Sequence, residues 1–248
     1  MRYVRFSHYG HPAYGQLDGD TIHELSGRPF EGGTSTGRTV SLSDVTLLAP
    51  CDPSKVIAVG LNYRSHLQGR PAPSEPGIFA KFPTCIVGPE AKVVLPPGAK
   101  NTHYEGEMVL VIGKEAKHVS QAEALQCVFG VTCGNDISER DWQKNDLQWF
   151  RAKGSDTFGP VGPAILTGAN YDDLQIRTRL NGVEVQAQRT SDLIFNVSTM
   201  VSYISQYVTL LPGDLVFTGT PGTTSALKSG DIVEVELEGV GVLRNAVA

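Results

Sequence analysis

His103-Tyr104-Glu105-Gly106-Glu107 runs directly into Met108-Val109-Leu110-Val111-Ile112, and Gly113-Lys114 closes the segment. A short apolar run rich in β-branched residues and ended by glycine reads as a buried strand. Side chains two apart on a strand share a face, so Glu105 and Glu107 project the same way with Gly106 between them. Two carboxylates held side by side repel unless positive charge lies between them. An oxygen-only pair suits a hard cation, Mg²⁺, Mn²⁺ or Ca²⁺, better than zinc. The pair also has an ordinary reading, in which one glutamate faces solvent and the other meets a Lys or Arg. Taken alone, that reading has the advantage.

The neighbouring segments shift the balance. Val131-Thr132-Cys133 reads as a second strand that stops at Gly134-Asn135 and presents a third carboxylate, Asp136. The polar stretch 137–146 follows, and Arg140 and Gln143, three apart, share one side if it is helical. Upstream, the apolar strand Lys55 to Gly60 ends in Leu61-Asn62-Tyr63-Arg64-Ser65-His66, a polar turn of the kind on which sites are built. Arg70 to Gly77 is too rich in proline for a helix interior and reads as an exposed loop, either a lid or a plain linker.

Composition narrows the function class. The 248 residues carry a net charge of −5 with no basic run, which argues against a nucleic-acid partner. No stretch approaches the about 20 apolar residues of a membrane helix, and the alternating Met1 to Phe6 is unlike a signal peptide. The four cysteines have no C-x-x-C spacing, so free thiols and a cytoplasmic setting are expected. The Gly/Thr loop 218–223 lacks the Gly-Lys-Ser/Thr of a phosphate-binding loop.

The remaining patterns are structural. Residues 1–50 read as a small β-rich unit with strands at 3–6, 14–17 and 21–25 and a loop from Glu31 to Thr39. Further strands are expected at 78–82 and 92–95, and 149–160 as a loop. A helix should start at Ser120, with Glu123 completing a capping box and Ala122, Leu125 and Val128 or Phe129 buried. Asn181-Gly182 marks a hairpin between 176–180 and 183–186, Asn196 to Tyr207 has amphipathic helical spacing, and strands at 232–237 and 240–243 close the chain. Strands outnumber helices without regular alternation, so a doubly wound parallel sheet is not expected.

Five stretches together, VGLNYRSH (59–66), HYEGEMVLVIGK (103–114), GNDISERDWQ (134–143), RAKGSDTFGPVGP (151–163) and LLPGDLVFTGTPGT (210–223), resemble the fumarylacetoacetate hydrolase family in order and spacing. The resemblance covers nearly all of residues 50–248. It implies an α+β, mostly β, mixed β-sandwich roll over residues 51–248 behind a small N-terminal domain (1–50), usually in a homodimer. It also implies a divalent-metal enzyme acting on small 2-oxo or 2,4-dioxo acids as a C–C hydrolase, decarboxylase, tautomerase or hydratase. By matching motif, Glu105, Glu107 and Asp136 resemble the metal ligands, Arg140 and Gln143 a substrate-contacting pair, and Lys153 the lysine that stabilises oxyanion charge. Thr220 resembles the threonine that meets the substrate carboxylate, and His66 the histidine that activates water. Hydrolytic relatives commonly place a glutamate three residues after that histidine, where this chain has Gly69, and Glu75 is the nearest substitute. On this basis hydrolysis is expected narrowly ahead of decarboxylation and isomerisation, and a non-catalytic metal-binding module last.

Overall fold

The structure is a computed structural model that describes residues 1–248. It is mostly β, a mixed β-sandwich roll. The main sheet runs in the order 35–41, 21–25, 11–18, 2–8, 159–166, 128–135, 106–112, 215–217, 56–60, 77–81. All its neighbours are antiparallel except 215–217 with 56–60, and a short strand, 86–87, adds in parallel beside 159–166. A second, four-stranded antiparallel sheet, 183–189, 175–180, 232–237 and 241–246, covers one face of the first.

The strand Gly106–Ile112 lies at the centre, and every residue of it is buried. Its alternation divides two cores. Met108, Leu110 and Ile112 face Ile176, Val235 and Leu237 of the second sheet and the helix Val197–Ser205, whose Met200 is a core residue. Val109 and Val111 face the other way, against Val56, Ala58, Ile165 and Phe217. Glycine between the two glutamates follows from this division, because a Cβ on Gly106 would lie 2.0 Å from Thr178 Oγ1 of the covering sheet. The glutamates therefore point away from that sheet while the backbone between them presses against it.

The N-terminal strands are continuous with the main sheet. Arg2 and Tyr3 pair with Leu166 and Ile165, and Val4, Phe6 and Ile22 share a small core with Ala164. The four cysteines are free and buried, and no helix is long and apolar enough to cross a membrane.

Several local expectations are corrected. Residues Ser35–Ser41 form an edge strand rather than loop, held by backbone pairing to Thr21–Leu25 while its side chains stay largely exposed, so no apolar alternation marks it. The expected strand 92–95 reduces to one bridge, Val93 with Val247, because Pro96 and Pro97 remove donors just beyond it. The capping box of Ser120 and Glu123 is present, but the helix covers only Gln121–Ala124 before a 3₁₀ turn, Leu125–Cys127. Ala124 and Cys127 are buried there, Ala122 and Leu125 are exposed, and Val128 already starts the next strand. The segment 149–160 contains a short helix, Phe150–Gly154. The Asn181-Gly182 hairpin forms as expected, with both residues at positive φ.

Candidate active site

Antiparallel register brings the carboxylates together. Gly106 pairs with Asn135 and Glu107 with Gly134, which sets Glu105 opposite Asp136 one step beyond the ladder. The Asp136 N–H donates to the Glu105 carbonyl at 2.9 Å, and the Glu105 N–H donates to Asn135 Oδ1 at 2.9 Å. Directly opposed residues share a face, so strand parity and register together give Glu105, Glu107 and Asp136 one common direction. One ligand oxygen from each lies within 4.8 Å of the others, and all three residues are buried.

Buried lysines hold two of the three. Lys153 Nζ, carried by the helix Phe150–Gly154, donates to Glu105 Oε2 and to Asp136 Oδ2, each at 2.6 Å. Lys81 Nζ, at the end of the strand Gly77–Lys81, donates to Asp136 Oδ1 at 2.6 Å and to the Lys153 carbonyl. Arg140 Nη2 donates to Glu105 Oε1 at 2.6 Å, and its Nη1 donates to Gln143 Oε1 at 2.9 Å. The helix Arg140–Asn145 is fixed by buried Glu139, which accepts the Trp142 N–H at its start and the N–H groups of Lys100 and Asn101. Arg140 and Gln143 thus share a helix side, and both line the cavity.

The electrostatics are uneven. Burial alone would raise the Glu105 carboxyl, but Lys153, Arg140 and His66 outweigh it and hold the group well below the usual carboxylate range. Glu107 is pushed up by burial and by the Asp136 and Glu105 charges, against which Lys153 and the Gly219 N–H, 2.7 Å from Oε2, do too little. Burial would lower the Lys153 ammonium, yet Asp136 and Glu105 raise it.

A turn and a loop complete the site. Buried Asn62 ties the turn before His66 to the Thr218 carbonyl at 2.8 Å and to both backbone groups of Phe195. His66 Nε2 then lies 3.7 Å from Glu105 Oε1, and its Nδ1 lies 2.6 Å from the Gly222 carbonyl oxygen. Thr220 lines the cavity, but its hydroxyl donates to the Gly106 carbonyl at 2.9 Å and accepts from Gln186 Nε2. Thr224 accepts from Arg140 Nη2 and bonds His103 Nδ1, each at 2.9 Å, which gives Arg140 a second anchor. The suggested substitute for a carboxylate at position 69 is not at the site: Glu75 sits beside Tyr203 on the outer helix and does not line the cavity.

These groups surround a cavity of about 460 Å³ bounded on one side by Phe79 and Trp149. The residues fit a hard divalent cation. All donors are carboxylate oxygens, Glu107 has no cationic partner of its own, and the spread of 4.8 Å matches oxygens sharing one ion at about 2.0 to 2.6 Å. Lys81, His103 and Thr224 were not singled out from the sequence. Lys81 had a signal, a lone lysine on an apolar strand on the same face as Phe79; His103 and Thr224 had none apart from their place in the motifs.

A mostly β roll with three buried carboxylates at strand ends, backed by two buried lysines, defines a fold with a site that could hold a divalent cation. The Fumarylacetoacetate (FAA) hydrolase C-terminal family model matches residues 55–248, and an "Rv2993c-like, N-terminal" model matches residues 1–50. Protein Rv2993c of Mycobacterium tuberculosis is 45% identical, over 100% of this chain and 98% of its own length. The human mitochondrial oxaloacetate tautomerase FAHD2A is 43% identical, over 83% of this chain and 70% of its own. The crystal structure of a 5-carboxymethyl-2-hydroxymuconate delta-isomerase from Mycobacterium smegmatis superposes with a TM-score of 0.95 at 43% identity, over 100% of this chain and 99% of that one. The chain belongs to the fumarylacetoacetate hydrolase family, whose members include isomerases, hydrolases and oxaloacetate tautomerases.

Proposed function

We propose that the protein is a divalent-cation-dependent enol–keto tautomerase of small 2-oxo dicarboxylic acids. The observation that carries this reading is the setting of His66, whose Nδ1 meets a neutral backbone carbonyl while Glu75 lies at Tyr203. Hydrolysis needs a base that ionises water and remains charged until the leaving group is protonated, a task normally supported by a carboxylate. Tautomerisation needs only a base that takes a proton from one atom of the substrate and returns it to another.

A cation held by Glu105, Glu107 and Asp136 would supply Lewis-acid polarisation of the 2-oxo group. The chain's own residues do the rest. Nε2 of His66 accepts the proton from the carbon beside the carbonyl, and the C–H electron pair becomes the C=C bond as the carbonyl oxygen takes the charge. Return of that proton to oxygen completes the enol, and the reverse order completes the ketone, so His66 is unchanged over a turnover. Lys153 and Arg140 place fixed positive charge beside the reacting oxygens, where it needs no reorganisation. Arg70, Arg140, Lys144 and Lys153 line the cavity against Glu105, Glu107 and Asp136; with a divalent cation added, the balance favours a doubly negative substrate.

Hydrolysis of an acylpyruvate is the second reading, favoured by the presence of His66 on the cavity wall. The two are separated by product. Loss of the oxaloacetate enol absorbance in Mg²⁺, accelerated by the protein with no carbon lost, supports tautomerisation. Release of pyruvate and a carboxylic acid from acylpyruvates, with oxaloacetate untouched, supports hydrolysis and overturns the first reading, as does CO₂ release from oxaloacetate at the rate of enol loss.

A further inference from the structure

The family resemblance leaves a gap at Gly69, where hydrolytic relatives carry the carboxylate that orients the histidine. We propose that Ser65 and the backbone of Gly222 fill this role, fixing His66 in the tautomer that leaves Nε2 unprotonated and aimed at the carboxylate cluster. The proposal rests on the reading of His66 as the base of the tautomerase.

The argument is a directional chain of hydrogen bonds. A carbonyl oxygen only accepts, so the 2.6 Å contact between His66 Nδ1 and the Gly222 oxygen places the imidazole proton on Nδ1. In the neutral imidazole, the form that can act as a base, Nε2 is then the lone-pair nitrogen, and it is the one turned toward Glu105, 3.7 Å away. The same Gly222 residue donates its N–H to Ser65 Oγ at 3.0 Å. With its oxygen accepting there, the Ser65 hydroxyl proton is free to donate to Gln188 Oε1, 2.6 Å away. Gln188 in turn donates from Nε2 to Asp192 Oδ2 at 3.0 Å, which fixes which end of its amide faces Ser65. Every donor and acceptor from Asp192 to His66 is thereby assigned, with a carboxylate at one end and the imidazole Nδ1–H at the other. Between them stand the N–H and C=O of Gly222, on the two peptides that flank its Cα.

Adjacent residues 65 and 66 thus grip both polar groups of one glycine. Gly222 sits at φ +62°, in the left-handed region that favours glycine, and a Cβ there would meet no atom within 4 Å. The requirement at 222 is therefore conformational rather than spatial. A neutral carbonyl orients the ring as a carboxylate would, but adds no charge to hold an imidazolium. This suits a base that returns its proton within the same turnover. Ser65 is a positioning residue: it does not itself line the cavity, bonds none of the three carboxylates, and acts through Gly222.

The test uses the Mg²⁺-loaded protein and two independent readouts. Imidazole ¹⁵N NMR, with the His66 signals assigned by their loss in His66→Gln, should show Nδ1 protonated and Nε2 bare in the wild type and a mixture of tautomers in Ser65→Ala. Oxaloacetate tautomerisation by Ser65→Ala should lose on the order of 10-fold in kcat, as is usual for loss of a group that orients a catalytic one, with KM nearly unchanged. Ser65→Thr, which restores the hydroxyl, should recover most of both. A wild-type His66 protonated at Nε2, or a Ser65→Ala variant with unchanged tautomer ratio and kcat, overturns the proposal. The NMR result stands apart from the reaction assigned: a fixed Nδ1–H tautomer that Ser65→Ala disturbs, in a protein that leaves the oxaloacetate enol unchanged, would sink the tautomerase reading and retain the relay.

Discussion

One wall of the cavity is made of strand ends, and the opposite wall of a turn and the exposed segment beyond it. Glu105, Glu107 and Asp136 leave the main sheet where its hydrogen bonding stops, and their backbones are fixed by ladder pairs and by a core buried on both faces. His66, Gln68 and Arg70 sit on a 3₁₀ turn and the chain after it, where Gln68, Gly69 and Arg70 are exposed and Gln68 and Gly69 have positive φ. The difference separates two tasks. Holding mutually repelling carboxylates within 4.8 Å needs a scaffold that cannot relax. Admitting a substrate and setting its specificity needs a surface that can vary without loss of the core. In the proposed function the carboxylate wall would hold the cation, and the His66 wall would carry the proton transfer.

The strongest way to break the comparison is to remove charge from the strand wall. Asp136→Ala should abolish cation-dependent turnover and leave Lys81 buried without a carboxylate partner and Lys153 with Glu105 alone, lowering the thermal midpoint as well. Glu107→Gln should separate the two effects. Its folded-state pKa is raised above the unfolded value, so its contribution is fully present below the unfolded carboxylate pKa and is lost as pH rises through the raised one. At neutral pH in a chelator, Glu107→Gln should therefore melt a few degrees above wild type, since about 1 kcal/mol moves the midpoint by about 2–4 °C in a chain of this size. It should also lose both turnover and the stabilisation that Mg²⁺ gives the wild type. Differential scanning calorimetry with and without Mg²⁺ checks this. A Glu107→Gln variant that melts lower in chelator, or keeps its Mg²⁺ shift, would contradict the crowded-carboxylate account.

A smaller effect is expected across the cavity. His66→Ala should lower kcat for tautomerisation by about 10² to 10⁴, the usual contribution of a positioned base, while Mg²⁺ affinity by titration calorimetry and the thermal midpoint stay close to wild type. Equal losses in cation affinity and kcat would mean that the two walls are not separate, and that His66 acts through its 3.7 Å contact with Glu105.

The same division explains what was legible in the sequence. Glu105 and Glu107 could be placed on one face because strand parity is strict and the strand is strongly apolar. Asp136 was legible only as a third carboxylate at a strand end and through the resemblance, its register with Glu105 being visible only in the fold. Arg140 and Gln143 followed from helical spacing. Other features left no such trace. The edge strand Ser35–Ser41 buries almost nothing, so its composition reads as loop. Lys81 left only the weak signal of a lone lysine on an apolar strand, and the fold alone shows it to be buried on Asp136. Thr220 lines the cavity, but that its hydroxyl donates to the Gly106 carbonyl has no trace in the sequence. The partner of His66 could not be read at all, because it is a backbone oxygen 156 residues away, and a backbone group has no letter in the sequence.

The mildest change falls farthest from the sheet. Arg70 lines the cavity from the exposed segment, with its Nε already donating to the Leu67 carbonyl at 3.0 Å. Its guanidinium stays in solvent, so it acts on an anionic substrate at long range and under screening. Arg70→Ala should raise KM for oxaloacetate by about 2- to 5-fold, the scale of one solvent-exposed charge, with kcat unchanged. The gap from wild type should narrow as ionic strength rises from about 0.05 to 0.5 M, where the screening length becomes shorter than the cavity is wide. Steady-state kinetics at two salt concentrations reads both parts. A fall in kcat that salt does not alter would show that Arg70 touches the reacting end of the substrate. The exposed wall would then share the chemistry proposed for His66 and the strand ends.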